Sequence, residues 1–391
     1  MTKIRILFWM CVVIVSCKQQ KSMQVEVSND LDFNRNEIVS IPLEHLKGID
    51  TEELKYLHVQ DAESKKYQRT QFMDSDADGE IDSFLFQAEV PANATVNYKL
   101  VIDSTIAAPK SDVVAYSRFV PERTDDYTWE NDKVAFRTYG PTGEKEALAG
   151  VPGSTLSSGI DLWLKRTDKS IINKWYAGHV KTPGYYHTDN GEGYDPYHVG
   201  GSRGTGGIGV WKNDSLYVSN NFITYKTIAD GPLRTVFELS YAPWSPYAIQ
   251  ETKKITLDLG SNFSKFEIML SASDTIPNYT VGISLHENKG DYNLEKKEGW
   301  FRHWEAIDDS YVGEGIVIDP KVIDSSFARI SNVPDQSNIL IVTKPKDTLT
   351  YYAGFAWKKS GQVDTVEDWE NLLRKQAKII ATPLTVNLIS E

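Results

Sequence analysis

One stretch of this chain, from Lys174 to Gly207, gathers three of the seven histidines, six aromatic residues and nine glycines. Imidazole and phenol tips take and give protons, and flat aromatic faces stack on the C–H faces of a sugar ring. The mixture therefore points to a carbohydrate site with acid/base chemistry. His187 and His198 are candidate bases, and Tyr186 and Tyr197 candidate acids. Arg203 could grip a carboxylate through two parallel hydrogen bonds, with Lys174 as its understudy. Trp175, Tyr176 and His179 complete the local binding set. Two shorter motifs add Arg137 and Tyr139 (FRTYGP) and Arg302 and His303 (WFRHWE) as further binding candidates.

Positioning these groups falls to the surrounding elements. The stretch has only two branched aliphatic residues, Val180 and Val199, so the expectation is a loop-built segment with little buried strand or helix. Elsewhere, runs rich in Val, Ile, Thr, Tyr and Phe recur between Gly, Asn, Asp and Pro clusters, which predicts an all-β protein. Predicted strands include 38–43, 98–103, 215–225, 235–241, 254–259, 266–272, 339–343 and 350–357. One helix is expected: Val366, Trp369, Leu372, Leu373, Ala377 and Ile380 form an apolar stripe behind a Thr365–Asp368 capping box. Ala107 to Asp112 interrupts the strand pattern, predicting a small sandwich over 24–107 and a larger one over 113–391 that carries the site.

Several chemistries are disfavoured. The chain carries a formal charge of −12, which argues against nucleic acid as a partner. Its two cysteines, Cys11 and Cys17, both lie near the start, leaving none for a thiolate nucleophile or metal site in the fold. The histidines of the 174–207 stretch lack the close helical spacing of a zinc site, and its glycine run lacks the Gly-Lys-Ser/Thr ending of a phosphate loop. Asp74, Asp76, Asp78 and Asp82 imitate the first half of a calcium loop, but Leu85 stands where a bidentate Glu belongs. Structural calcium is the one metal this sequence suggests, and catalysis is expected to need no cofactor.

Lys3 and Arg5 precede an apolar run that ends in Ile-Val-Ser-Cys at 14–17. This reads as a lipoprotein signal over 1–16, a lipidated Cys17 and a polar tether over 17–23, with the fold held at a bacterial membrane facing the periplasm or cell surface. The membrane would be engaged through that lipid alone.

The ordered set Phe136 to Pro141, Lys174-Trp-Tyr through Tyr186-His187, Asp195-Pro-Tyr-His-Val-Gly200, Trp211 and Asp230-Gly-Pro-Leu-Arg234 resembles the oligosaccharide dehydratases of marine ulvan-degrading bacteria. That group was formerly catalogued as a domain of unknown function and is related to the galactose-mutarotase-like β-sandwiches. The resemblance spans roughly residues 25–390. It implies a large β-supersandwich beside a small one, and loss of water from a saturated uronic acid at the non-reducing end of an ulvan oligosaccharide. Such a substrate is an anionic uronic-acid oligosaccharide. A polysaccharide lyase uses the same elimination with a sugar as leaving group. A glycoside hydrolase would need two carboxylates, for which Asp189, Glu192, Asp195 and Glu305 are available. A mutarotase and a non-catalytic glycan-binding lipoprotein complete the alternatives.

Overall fold

The computed structural model describes residues 23–272 and 274–390. The predicted signal peptide, the lipidation site Cys17 and most of the tether lie outside the described residues. The protein is an all-β sandwich with a helix near its C-terminus, as the alternating runs predict.

An eight-stranded antiparallel sheet forms one layer, in the order Phe222–Asp230, Arg234–Trp244, Ile249–Asp258, Phe263–Ser271, Thr348–Trp357, Ser310–Val317, Trp300–Ile307 and Asp291–Glu295. Two five-stranded sheets face it. One runs from Ser215–Tyr217 through Thr205–Lys212, Tyr279–Ser284 and Asn338–Thr343 to Ile323–Arg329. The other contains Asp126–Glu130, Ala135–Thr138 and Asp161–Lys165. Alternate residues of all three sheets interlock in one core that includes Trp129, Phe136, Leu162, Ile208, Val281, Phe237, Phe301, Ile316 and Phe355. The period of two that predicts the strands is thus the period that buries them.

The run 215–225 is two strands in different sheets, not one, because Ser219 and Asn221 are drawn inward between them: Ser158 Oγ donates to the Ser219 carbonyl and Asn221 Nδ2 to Gly140 and Thr155. The small sandwich holds Met23–Asn29, Ala94–Ile102 and Leu57–Asp61 in one sheet and Arg35–Pro42, Ser83–Val90 and Thr70–Met73 in the other. Its first sheet is completed by the C-terminal strand Thr385–Ser390, which pairs antiparallel with Met23–Asn29. A division of the chain into 24–107 and 113–391 therefore misassigns that last strand, whose apolar Val386 and Leu388 pack on the small core.

The predicted helix spans Val366–Ala381, and its N-terminus carries the capping box, with Thr365 accepting from the Asp368 amide. It lies on the outer face of the large sheet over Ser310–Val317. A Cβ on Gly313 would stand 2.5 Å from Trp369 Cδ1, so glycine there is what lets the helix seat so closely. No helix among the described residues is long and apolar enough to cross a membrane.

Candidate active site

Strand Trp300–Ile307 sends its even residues outward and its odd residues inward. Trp300 packs with Trp369 under the helix, whereas Phe301 joins the main core. His303 and Glu305 follow Phe301 on the inner face. On the neighbouring strand, Glu314 lies between the inward Val312 and Ile316, and the register sets it directly opposite His303. His303 Nδ1 sits 3.3 Å from Glu314 Oε2. The turn after Tyr279–Ser284 adds His286, whose Nδ1 lies 2.7 Å from Glu305 Oε1 and whose Nε2 lies 3.9 Å from Glu314 Oε1.

The segment 194–203 roofs these four side chains. Its entry is held by Asp195, whose carboxylate accepts from Arg137 at 2.8 Å, and by Tyr194, whose hydroxyl donates to Asp308. Gly200 sits at φ +49°, and a Cβ there would reach 1.9 Å from Asp335 Oδ2. Arg203 anchors the exit. Between these anchors Tyr197 stacks on the His286 ring at 4.5 Å and 15°, and its hydroxyl donates to Glu305 at 2.9 Å. His198 follows it at the exposed rim. The site reaches solvent through His286, whose side chain is 19 % exposed, and Glu305, at 10 %.

Electrostatics couple the group tightly. Burial pulls the His286 imidazole down, but Glu314 and Glu305 outweigh it and raise its pKa to about 9. Glu305 is pushed up by burial yet ends below the usual carboxylate range because of His286. Burial, Glu314 and Glu305 hold the Tyr197 phenol well above its ordinary value.

Of the residues singled out in sequence, the structure brings Tyr197, His303 and Glu305 together here, with His198 at the rim. It takes the others elsewhere. The stretch expected to be loop begins with a helix, Ile172–Lys181, because Glu130 accepts from the Ile171 and Ile172 amides at its start while Ile172, Trp175 and Tyr176 share a buried face. Trp175, Tyr176 and Tyr186 then close around Trp163 as a second aromatic core, at ring distances of 5.3, 5.1 and 5.0 Å, and offer no open face to a sugar.

Tyr186 is 1 % exposed and its hydroxyl accepts from Arg123 and Arg137, a structural post that does not suit a catalytic acid. Arg137 itself is enclosed by Asp161 at 2.5 Å, Asp195 at 2.8 Å and Asp126 at 3.9 Å, and lies over the Tyr139 ring, so both are scaffold beneath the roof. His179 stacks on Tyr186 and accepts from the Gly184 amide. His187 is exposed beside this core, its Nδ1 3.0 Å from the Asp195 carbonyl oxygen. Lys174 pairs with Glu192 on the surface at 2.7 Å.

Two corrections bear directly on the chemistry. Arg203 is 1 % exposed, and its Nη1 donates to Ser158 and to the Ile208 carbonyl, so it pins the roof and is not free to clamp a substrate carboxylate. Arg302 points to the outer face, where it pairs with Glu370 of the helix at 2.8 Å and with Asp291 at 2.9 Å. Its even position on the strand makes that unavoidable.

His286, Glu305 and Glu314 carry more of the site than the tyrosine-rich stretch that drew attention. Glu314 does leave a signal in sequence: a lone acid at an inward position of an alternating apolar strand, opposite His303. Among the described residues, two groups of potential donor atoms lie close together: His286, His303 and Glu305, and separately Asp74, Asp76 and Asp78. The fourth residue of the expected calcium loop, Asp82, is instead engaged by the Ser75 and Ser83 hydroxyls.

A family model described as a domain of unknown function, DUF4861, matches residues 27–386. A protein of Formosa agariphila described as "Uncharacterized protein P7" is 44 % identical over 381 residues, 95 % of each chain. Two solved structures from Enterococcus faecalis, a protein in glycosyl hydrolase family 38 and an alpha-mannosidase, superpose with TM-scores of 0.49 and 0.47 at 9 % identity. They cover 95 % and 94 % of this chain, which spans about half their length, 48 % and 46 %.

Proposed function

The chain belongs to the DUF4861 family, and we propose that it is a dehydratase that eliminates water from the saturated uronic acid at the non-reducing end of an ulvan oligosaccharide. The product carries a 4,5-unsaturated uronic acid. The observation that carries this reading is the convergence of Tyr197, His286, His303, Glu305 and Glu314 on the inner sheet face, with His198 at its rim. Such a set supplies proton donors and acceptors within one small volume.

The reaction needs three services. A base removes the proton from C5, its electron pair forms the C4–C5 double bond, and the C4–O bond breaks as an acid protonates the departing hydroxyl to water. His198, exposed at the rim, would be the base. Tyr197 would be the acid, its hydroxyl oriented by Glu305 and its ring fixed by His286. The third service, positive charge against the uronate carboxylate as the carbanion develops, has to come from within the site because Arg137, Arg203 and Arg302 are engaged elsewhere.

A roof over 194–203 that blocked one end of the cleft would suit a chain-end substrate and favour dehydration over lyase action. A hydrolase is less well served, because Glu305 and Glu314 are both drawn to histidines and sit on adjacent strands. The lipoprotein anchor at Cys17 would place the enzyme where oligosaccharides arrive.

The test is mass spectrometry and ultraviolet absorbance on ulvan oligosaccharides with a saturated uronic acid end. Loss of one water without chain shortening, with a new unsaturated-uronate absorbance, is the expected result. Shortening with that absorbance would indicate a lyase, and shortening without it a hydrolase. An unchanged oligosaccharide would end the dehydratase reading.

A further inference from the structure

The small sandwich, the outer face of the eight-stranded sheet and the C-terminal helix enclose a groove of about 980 Å³. Strand Ile249–Asp258 sends Ile255 and Leu257 into the main core, so Lys254 and Thr256 face the groove; in the same way Tyr351 is buried in the core and Tyr352 is turned outward. The sheet itself therefore separates this groove from the candidate active site, which lies on its inner face. The walls are tied together. Gln71 of the small sandwich accepts from the Leu233 and Arg234 amides, and Arg35 donates to the Thr382 carbonyl at the end of the helix.

The charge of the groove is opposite to that of the chain, which is −12 overall. Most of its carboxylates already have cations: Glu37 has Arg35 at 2.5 Å, Asp258 has Arg234 at 2.5 Å and Glu267 has Lys265 at 2.9 Å. That leaves Arg69, Lys133 and Lys375 against one lining carboxylate, Asp132, which accepts from the Gly260 amide at 2.7 Å. Lys254 lies among them and is shared with Asp82 below the groove. Arg69 and Lys133 are half-buried and, among the described residues, form no ion pair. Burial lowers the pKa of both, and Asp132 offsets only part of that. Cations drawn out of water without a close partner are costly, and a partly enclosed cleft of one sign concentrates ions of the other.

We propose that this groove is a second binding site, which takes a segment of anionic oligosaccharide whose carboxylate or sulfate groups meet Arg69 and Lys133. The Arg69 guanidinium can hold such a group through two parallel hydrogen bonds, and Lys133 meets it as a point charge. Phe33, Tyr352, Leu372 and Ile379 give the C–H faces of the sugar rings an apolar wall. The volume is that of sites for ligands of a few rings. A glycan held there stays close to the enzyme while chain ends react on the other face of the sheet, which raises their local concentration. The choice of a uronate glycan as ligand rests on the dehydratase reading; the unpaired positive charge does not.

The test is calorimetric titration of the purified full chain with ulvan oligosaccharides, beside the same oligosaccharides after carboxyl reduction and desulfation, and beside inorganic sulfate and phosphate. Hydrogen exchange then locates each ligand. The expected result is saturable binding of the charged oligosaccharides, with protection over 35–38 and 372–379 that is distinct from any over 194–203. Raising salt from about 0.05 to about 0.5 M should weaken it by at least about 10-fold. Arg69→Gln and Lys133→Gln should each weaken it by about 10–100-fold, with no lower melting temperature because neither cation has an ion pair to lose. Lys344→Gln, exposed beyond strand Asn338–Thr343 and outside the groove, should leave it unchanged.

Protection confined to 194–203 overturns the second site, as does groove binding that survives both Arg69→Gln and Lys133→Gln. Uncharged sugar bound as tightly as charged overturns the role of the cations, and sulfate or phosphate bound as tightly as the oligosaccharide overturns the glycan as ligand. Groove binding without any elimination refutes the dehydratase reading and leaves the groove standing. Elimination without groove binding does the reverse.

Discussion

Tyr197→Phe is the most discriminating single substitution. Phenylalanine keeps the ring that stacks on His286 at 4.5 Å, so no cavity opens and the roof stays seated. Only the hydroxyl is lost, and with it one hydrogen bond to Glu305, worth about 0.5–1.5 kcal/mol of stability. Glu305 retains His286 at 2.7 Å, so its carboxylate is not left unpaired. If the hydroxyl protonates the departing C4 oxygen, kcat should fall by about 10²–10³, within the usual contribution of a positioned acid. That is a barrier increase of about 3–4 kcal/mol, several times the stability cost. KM should change little, because the proton is delivered in the transition state and not on binding. Initial rates of unsaturated-uronate absorbance, read beside urea denaturation, measure both quantities. A kcat within about threefold of the parent, in a folded protein, would refute Tyr197 as the acid.

Other outcomes follow from the scaffold. Trp369→Ala empties the contact between the helix and the large sheet, where the indole is fully buried and donates to the Glu314 carbonyl at 3.1 Å, and should cost about 3–5 kcal/mol by denaturant melting. Arg302→Ala removes one partner of Glu370 on the outer face, where Arg374 remains at 2.7 Å, and should destabilise by about 1–2 kcal/mol while leaving kcat of the folded enzyme unchanged, which tests the exclusion of Arg302 from the site. Burial, opposed by Arg137 and Arg123, raises Asp126 to about 6, so the folded chain holds a proton that the unfolded chain releases between pH 4 and 6. Its contribution to stability is full below about pH 4 and is lost as pH rises through 6. Asp126→Asn removes that loss, so its stability relative to the parent should rise by about 2–3 kcal/mol between pH 4 and pH 7 in urea melts; a constant difference would count against the raised value.

Much of the architecture was legible in sequence because it depends on short-range periodicity. Alternation along Phe266–Ser271 specifies a strand, since each side chain's face is fixed by its neighbours two residues away, and the unbroken apolar run Ile339–Val342 reads as a strand buried on both faces. The helix Val366–Ala381 announces itself through its stripe and its Thr365–Asp368 cap. The helix Ile172–Lys181 did not, because its start is capped by Glu130, some forty residues upstream, and its aromatic face looks like a binding surface until Trp163 covers it.

The sequence by itself determined the all-β character, the C-terminal helix and the stock of side chains that can move protons. Only the tertiary structure decided which of those side chains meet. Tyr197 and Glu305 are 108 residues apart and join through the seating of a roof on a sheet. His303 and Glu314 meet because two antiparallel strands share one register, and Arg203 and Arg137 became anchors because burial and neighbouring partners claimed their donors. Periodicity fixes which face a residue takes, but the partner across the sheet depends on register and topology, and no local pattern encodes either.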